Sequence, residues 1–366
     1  MEQKLSIDSI RSLGRASKLS ASVRVVDNEA WRQYALVFSD FSYRLLRGYS
    51  VMAARRVRAT SEAVGIFLGE AIIGLADVRV RRVPLLPIGI AYVSGGPVTC
   101  VNGKFDGPRF AICLEALCDE YVGRRRLTLR VTPPIMAGEN SASVEDIFGR
   151  LGFVPRPEDE KYQTILKSIS GEEESLVRSL DKKWRSELVR SRKSGATVRR
   201  STQVSDFDAM MPIFENLRQA KGFSVNMDVA FFRDVQEMLS EGEELIWHLA
   251  ELDGDLVAGH LGSYSGNVAT YLLGAANDKG RANRSSYMLQ WEAMCYAASR
   301  GMGWYDLGGI DPIDNPDVYR FKRRMGGYEM AAAGPYERHP SAFAGATLSG
   351  VEWALDKARW LSALKR

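Results

Sequence analysis

A chain of 366 residues is too long for one ordinary core and suits two domains of roughly 150–180 residues each. Apolar residues at 45% and aromatics at 10% exclude a mainly disordered chain, and 33 Gly and 13 Pro without a period exclude a collagen-like one. Forty-nine Lys and Arg against 45 Asp and Glu, a net charge of +4, exclude a dedicated nucleic-acid coat but leave room for local basic patches.

Residues 1–21 are polar, basic and Ser-rich and read as a flexible leader. They hold no apolar signal-peptide core, and no apolar run anywhere is long enough to span a membrane, so a cytoplasmic protein is expected. A strand over Ser22–Val26 leads to helices near Glu29–Phe38 and Tyr43–Arg56. Strands follow at Ala63–Leu68, Ala71–Val80 and Ile88–Val93, then an amphipathic helix, Phe110–Tyr121, and the alternating strand Arg126–Val131. A helix at Val144–Leu151 and strands near Phe153 and Tyr162–Leu166 complete a first domain, 22–168. Ser170–Lys193 reads as one charged helix, acids first and bases last, which suits the helix dipole; it is the expected interdomain segment, 169–195.

From Thr197 the order repeats: strand, two helices (Phe207–Ala220, Val229–Leu239), then a hairpin, Leu245–Leu252 and Leu256–Tyr264, around Asp253-Gly254. A strand at Asn267–Leu273, a long helix at Arg284–Arg300, a short strand at Trp304–Leu307 and a basic helix at Asp317–Met325 follow. One domain plan used twice is expected, the second copy spanning 196–338. The last segment, 339–366, is an amphipathic helix. Trp353, Trp360, Lys357, Arg359, Lys365 and Arg366 give it the means of a peripheral membrane contact, but packing against the second domain is the simpler expectation.

Several chemistries lack their residues. Four cysteines fit no metal or redox spacing, and three histidines, His248, His260 and His339, form no ligand pair, so no metal is expected. No Walker-type phosphate loop, dinucleotide fingerprint or nucleophile elbow occurs. What remains is group transfer by positioning and charge stabilisation, or binding alone. The informative stretch runs from Gly301 to Gly327. Trp304–Leu307 is a buried strand ending in Gly308-Gly309, a pair that admits close backbone approach and hence a ligand. Asp306 points into the core or into that cleft. Tyr319 and Phe321 then alternate with Arg320, Lys322, Arg323 and Arg324, which cannot all share one helix face.

Tyr305-Asp-Leu-Gly-Gly-Ile310, an acidic Pro loop, and Val318-Tyr-Arg-Phe-Lys-Arg-Arg-Met-Gly-Gly327 resemble the C-terminal signature of the FemABX peptidyltransferases and of related GNAT-fold acyltransferases. Ala91–Pro97, Asp181–Arg185 with Arg192–Val198, Ala269–Ala275 and Ser285–Ala298 are similar to further stretches of that family, so the resemblance covers residues 22–335. It implies an α/β fold of two tandem GNAT-like domains with mixed sheets. The implied activity moves an aminoacyl group from aminoacyl-tRNA to an amine of a cell-wall (peptidoglycan) precursor, nucleotide-linked or lipid-linked, with no cofactor. By the same resemblance Lys322 is the oxyanion-stabilising cation and Tyr271 lines the acceptor cleft; Asp306 and Tyr319, beside the Gly308-Gly309 strand end, are expected to be positioning residues.

Two departures qualify the expectation. Thr132 stands before Pro133 where the family carries an acid, and the phosphate-holding lysine of the first domain has no clean match; Arg55, Arg56 and Arg58 supply charge nearby, and Lys221 is a further anion anchor. The alternative donor is an acyl-CoA, for which Asp278–Arg284 would be the phosphate loop; it lacks the glycine pattern, but Lys279, Arg281 and Arg284 suit the phosphates of either donor. A third reading is a non-catalytic RNA-binding protein on this fold. The sequence does not settle the oligomeric state.

Overall fold

The computed structural model describes residues 20–84, 88–134, 140–156, 162–221 and 228–363; nearly all of the expected leader lies outside them. The first half runs β1 (Ser22–Val25), α1 (Asn28–Ala35), a 3-10 turn (Tyr43–Leu45), α2 (Arg47–Arg56), β2 (Thr60–Leu68), β3 (Ala71–Arg82), β4 (Gly89–Ser94), α3 (Gly107–Leu117), β5 (Thr128–Thr132), α4 (Asn140–Arg150) and β6 (Val154–Pro155). The second runs β7 (Gln163–Ser168), α5 (Glu173–Arg178), α6 (Lys182–Arg192), β8 (Thr197–Ser201), α7 (Val204–Lys221), α8 (Val229–Met238), β9 (Ile246–Leu252), β10 (Asp255–Ser265) and β11 (Val268–Ala276). It continues through α9 (Asp278–Ala282), α10 (Ser285–Ser299), β12 (Trp304–Gly309), α11 (Pro316–Arg323), β13 (Tyr328–Ala331), β14 (Tyr336–Arg338) and α12 (Ala342–Ala363).

Local chemistry explains many of these limits. Asp27, Asp106 and Asp228 start α1, α3 and α8 by accepting from the amides of Ala30, Arg109 and Phe231 at 2.8, 3.1 and 2.9 Å. Asp253 and Gly254 both take positive φ, 52° and 84°, as the two-residue turn between β9 and β10 requires.

The strands form two seven-stranded sheets, ordered β1-β2-β3-β4-β5-β14-β6 and β13-β7-β12-β11-β10-β9-β8. Each holds one parallel pair, β4 with β5 and β11 with β12, amid antiparallel neighbours. β11 and β12 pair only through Val268–Thr270 and Trp304–Asp306 and then part.

The halves exchange strands, which the sequence reading did not anticipate. β7, expected to close the first domain, pairs with β12 and β13 in the second sheet; β14 returns to the first sheet between β5 and β6. Each exchanged strand satisfies the open outer edge of the parallel pair in the other domain. Four central residues of β7 are buried, so this strand is covered on both faces.

The interdomain helix is also different. The charged stretch breaks at Ser179–Asp181, where Asp181 Oδ1 caps α6 through the Lys183 amide at 2.9 Å. Leu176, Leu180, Trp184 and Leu188 pack with Trp291, Met294 and Ala297 of α10, so α5 and α6 are a layer of the second domain rather than a linker. The halves share a core of their own: Trp31, Phe38, Tyr49 and Leu75 join Phe207, Phe231, Trp247 and Leu261 in one buried cluster.

The terminal helix α12 packs on the first domain rather than the second. Ala344 and Leu348 are buried, and Glu352 accepts from Arg130 at 3.0 Å and Arg156 at 3.1 Å. Both arginines also reach Glu337 of β14, at 3.0 and 3.3 Å. Glu337→Gln should therefore cost about 2–3 kcal/mol, because it leaves two half-buried guanidinium groups short of a partner. The measurement is the urea midpoint at unchanged slope; a midpoint equal to wild type would remove Glu337 as the hub.

Among the described residues, no helix is long and apolar enough to cross a membrane.

Candidate active site

Between the two sheets lies a cavity of about 440 Å³, walled by the Ser39–Arg44 loop, the ends of β4 and β5, and the β11–β12 face of the second sheet. The loop is stitched to both sides. The Asp40 carboxylate accepts from the Thr99 and Cys100 amides, each at 3.0 Å, and the Ser39 carbonyl accepts from the Asn267 amide at 3.0 Å. Burial pushes the Asp40 carboxyl up to about 6, against those amide hydrogen bonds.

Arg44 is the cation of this cavity. Its guanidinium lies 5.2 Å from the Tyr43 ring and 5.4 Å from the Tyr162 ring. Among the described residues no carboxylate or carbonyl accepts a hydrogen bond from it. Thr132, where the resemblance leads one to expect an acid, also lines the cavity, its hydroxyl 3.2 Å from Tyr92 Oη.

Asp306 faces the cavity from β12, only 6% exposed. It accepts from the Thr164 hydroxyl and, at 2.9 Å, from the Gly308 amide. Burial raises its pKa above the usual carboxylate range, while those two hydrogen bonds and the charges of Arg44 and Lys322 pull the other way.

Lys322 sits behind Asp306, where β11 and β12 part. Of the four bases in the C-terminal signature, only Lys322 turns inward. Arg320 pairs with Asp317, Arg323 lies 3.4 Å from Glu329, and Arg324 is exposed. Lys322 Nζ donates to the Gly309 carbonyl at 2.7 Å and lies 5.1 Å from the centroid of the Tyr271 ring. Burial lowers this ammonium to about 8, and Asp306 opposes the shift. Gly308 makes the arrangement fit: at φ 72°, a Cβ there would fall 2.6 Å from the Tyr271 carbonyl.

Beneath Lys322 the Tyr271 ring stacks on His260, 4.6 Å apart and 27° from parallel. His260 Nε2 lies 2.7 Å from Tyr305 Oη, which donates to Gln290 Oε1 at 2.7 Å. Burial drives His260 well below its ordinary range and pushes the Tyr271 phenol up to about 12, so both rings are neutral.

Lys322, Tyr271, Asp306, Gly308 and Gly309 are thus brought together, with Thr132 across the cavity, but Tyr319, Arg56, Arg281 and Arg284 are not. Tyr319 donates to Glu329 at 2.7 Å on the surface. Arg56 lies over the Phe231 ring at 5.2 Å, where α2 meets α8. Arg284 bonds Glu187 at 2.8 Å, and Arg281 pairs with Asp278 and donates to the Ala276 carbonyl at 2.7 Å. In each case a nearer acid, carbonyl or ring takes up the charge. The Lys221 side chain lies outside the described residues. Arg44, Asp40 and Tyr162 were missed; no local pattern marks them, since the cavity that gathers them is made by both domains.

Residues 178–323 match the family profile of an acetyltransferase (GNAT) domain. The chain is 22% identical to the lipid II:glycine glycyltransferase of Staphylococcus saprophyticus subsp. saprophyticus, over 76% of this chain and 83% of that protein. It is 21% identical to the protein of the same name from Staphylococcus aureus, over 72% and 80%. The crystal structure of FemX superimposes with a TM-score of 0.74 at 17% identity, covering 87% of this chain and 97% of that one. The chain is FemABX-like. A conserved protein of unknown function from Bacteroides thetaiotaomicron VPI-5482 shares the fold more loosely, at a TM-score of 0.53 and 10% identity over 86% of this chain and 97% of that one. The FemABX-like chain is therefore a transferase of the acyltransferase class, built from two GNAT-like domains.

Proposed function

We propose that this chain forms an amide bond by moving an aminoacyl group from aminoacyl-tRNA to an amine of a cell-wall precursor peptide. The observation that carries the reading is the Lys322 ammonium, buried where β11 and β12 part and within electrostatic reach of Asp306 in the cavity wall. The acceptor amine attacks the ester carbonyl carbon and the carbonyl oxygen takes up negative charge. Lys322 stabilises that oxyanion. The ester C–O bond then breaks, and the proton lost by the amine passes to the leaving ribose oxygen. With Thr132 in place of an acid, Asp306 is the carboxylate suited to relay that proton, because burial raises its affinity for one. Arg44, free of acid partners, receives an anionic group of the acceptor.

For the donor, Lys182, Lys183 and Arg324 border a shallow groove along α6 and supply positive charge for a nucleic-acid backbone, while Arg190 in the same groove is paired with Glu187 at 3.1 Å. The acyl-CoA reading has less support. Arg281 and Arg284 are occupied by acids, and Gly280 packs against the Val257 carbonyl, where a Cβ would fall 2.4 Å away. Four free cysteines and an aminoacyl-tRNA donor suit the cytoplasm.

The test is a mass assay with a charged tRNA pool or acetyl-CoA and amine-bearing acceptors, nucleotide-linked and lipid-linked. The expected result is an RNase-sensitive gain of one amino-acid residue. An RNase-resistant gain with release of free thiol would transfer the assignment to acyl-CoA. No gain with either donor on both acceptor classes would leave a non-catalytic RNA-binding protein.

A further inference from the structure

The terminal helix α12 has two unlike faces. The inner face is fastened to the first sheet: Leu348 is 3% exposed, Gly345 lies against the His339 ring, and Glu352 is held by Arg130 and Arg156. The outer face presents Phe343, Ala346, Gly350, Trp353, Ala354 and Lys357. Phe343 is 78% exposed and Trp353 65%. A helix face that meets only water normally carries charges of both signs, whereas the described side chains of this one are apolar or small apart from Ser349 and one lysine. The one acid among the described side chains of α12, Glu352, is turned inward.

The charge identifies what covers this face. Lys357 Nζ sits 4.8 Å over the Trp353 ring, and the sequence beyond adds Arg359, Lys365 and Arg366. A second copy of the same face would oppose lysine to lysine. Aromatic rings with a lysine among them, and bases following, match instead the boundary of an anionic bilayer, where rings enter the headgroup region and ammonium groups meet lipid phosphates. We propose that the outer face of α12 docks this protein on an anionic phospholipid surface, Phe343 and Trp353 entering the headgroup layer and Lys357 meeting the lipid phosphates.

The placement fits a site that must reach a membrane-held substrate. Gly334 and Pro335, which line the cavity, lead through β14 directly into α12, and α12 rests on β5, whose last residue, Thr132, lines the same cavity. This purpose rests on the proposed lipid-linked acceptor; the docking itself is measured without donor or acceptor, so either can fail alone.

The experiment is co-sedimentation of the full chain with phosphatidylcholine vesicles, with and without phosphatidylglycerol. Wild type should sediment with the anionic vesicles and much less with the neutral ones. Phe343→Ser with Trp353→Ser should lower the partition coefficient roughly tenfold or more, and Lys357→Glu roughly fivefold on anionic vesicles only, both at wild-type melting temperature. Wild type that ignores anionic vesicles, or folded variants that bind like wild type, would overturn the proposal. A dimer in light scattering that the double variant abolishes would instead assign the face to a second copy.

Discussion

Lys322→Met is expected to lower turnover by about 10²–10³ while the melting temperature holds or rises. The asymmetry follows from where the lysine lies. It is 4% exposed, and its ammonium is retained at a desolvation cost that methionine does not carry. The groups facing it are Asp306 on β12, Tyr271 on β11, His260 on β10 and the more distant Arg44, and of these only Asp306 favours the cation. Because the folded pKa of about 8 lies below the unfolded value, the unfolded chain holds more protons between the two. The lysine therefore contributes rising stability as pH climbs through that window and a penalty below it. Catalysis runs the opposite way, since the oxyanion needs the charged form. Activity should fall as pH rises through about 8, and Lys322→Arg, which stays charged, should lose that alkaline limb. Full turnover in the folded Met variant would return Lys322 to the role of a buried structural base.

Arg44→Leu should raise KM for the acceptor by roughly 30–100-fold with a much smaller change in kcat, the loss expected when a charged hydrogen bond to a bound anion disappears. Its guanidinium already lies between two tyrosine rings, so little motion is needed to receive the ligand. Arg44→Lys should recover part of the affinity, because charge survives and the planar fork does not. Stability should change little, as no acid is left unpaired. An unchanged KM in Arg44→Leu, by steady-state kinetics with the acceptor varied, would remove Arg44 from the binding site.

Much of this arrangement is written locally. Apolar runs of strand length place β2, β3, β10 and β11, and Asp253-Gly254 specifies the turn between β9 and β10, because apolar runs and turn chemistry involve residues close in the chain. The same holds at the heart of the site. Gly308 lets β12 turn away from β11, and helical spacing makes it impossible for all four bases of α11 to face one way; one of them, Lys322, goes inside. Only the tertiary structure decided the rest. β7 and β14 carry no mark of the sheet they join, since an exchanged strand and a resident one have the same pattern and differ only in whose open edge they satisfy. The charged stretch before β8 reads as a linker until Trp184 and Leu188 meet α10. Arg281 and Arg284 look as available for an anion as Arg44 does; what separates them is that Asp278 and Glu187 form ion pairs with the first two, whereas the third lies against tyrosine rings and only feels the charge of Asp306 across the cavity. Sequence determined which residues could carry the chemistry. Burial and partners, which depend on contacts between residues far apart in the chain, decided which of them are free to do so.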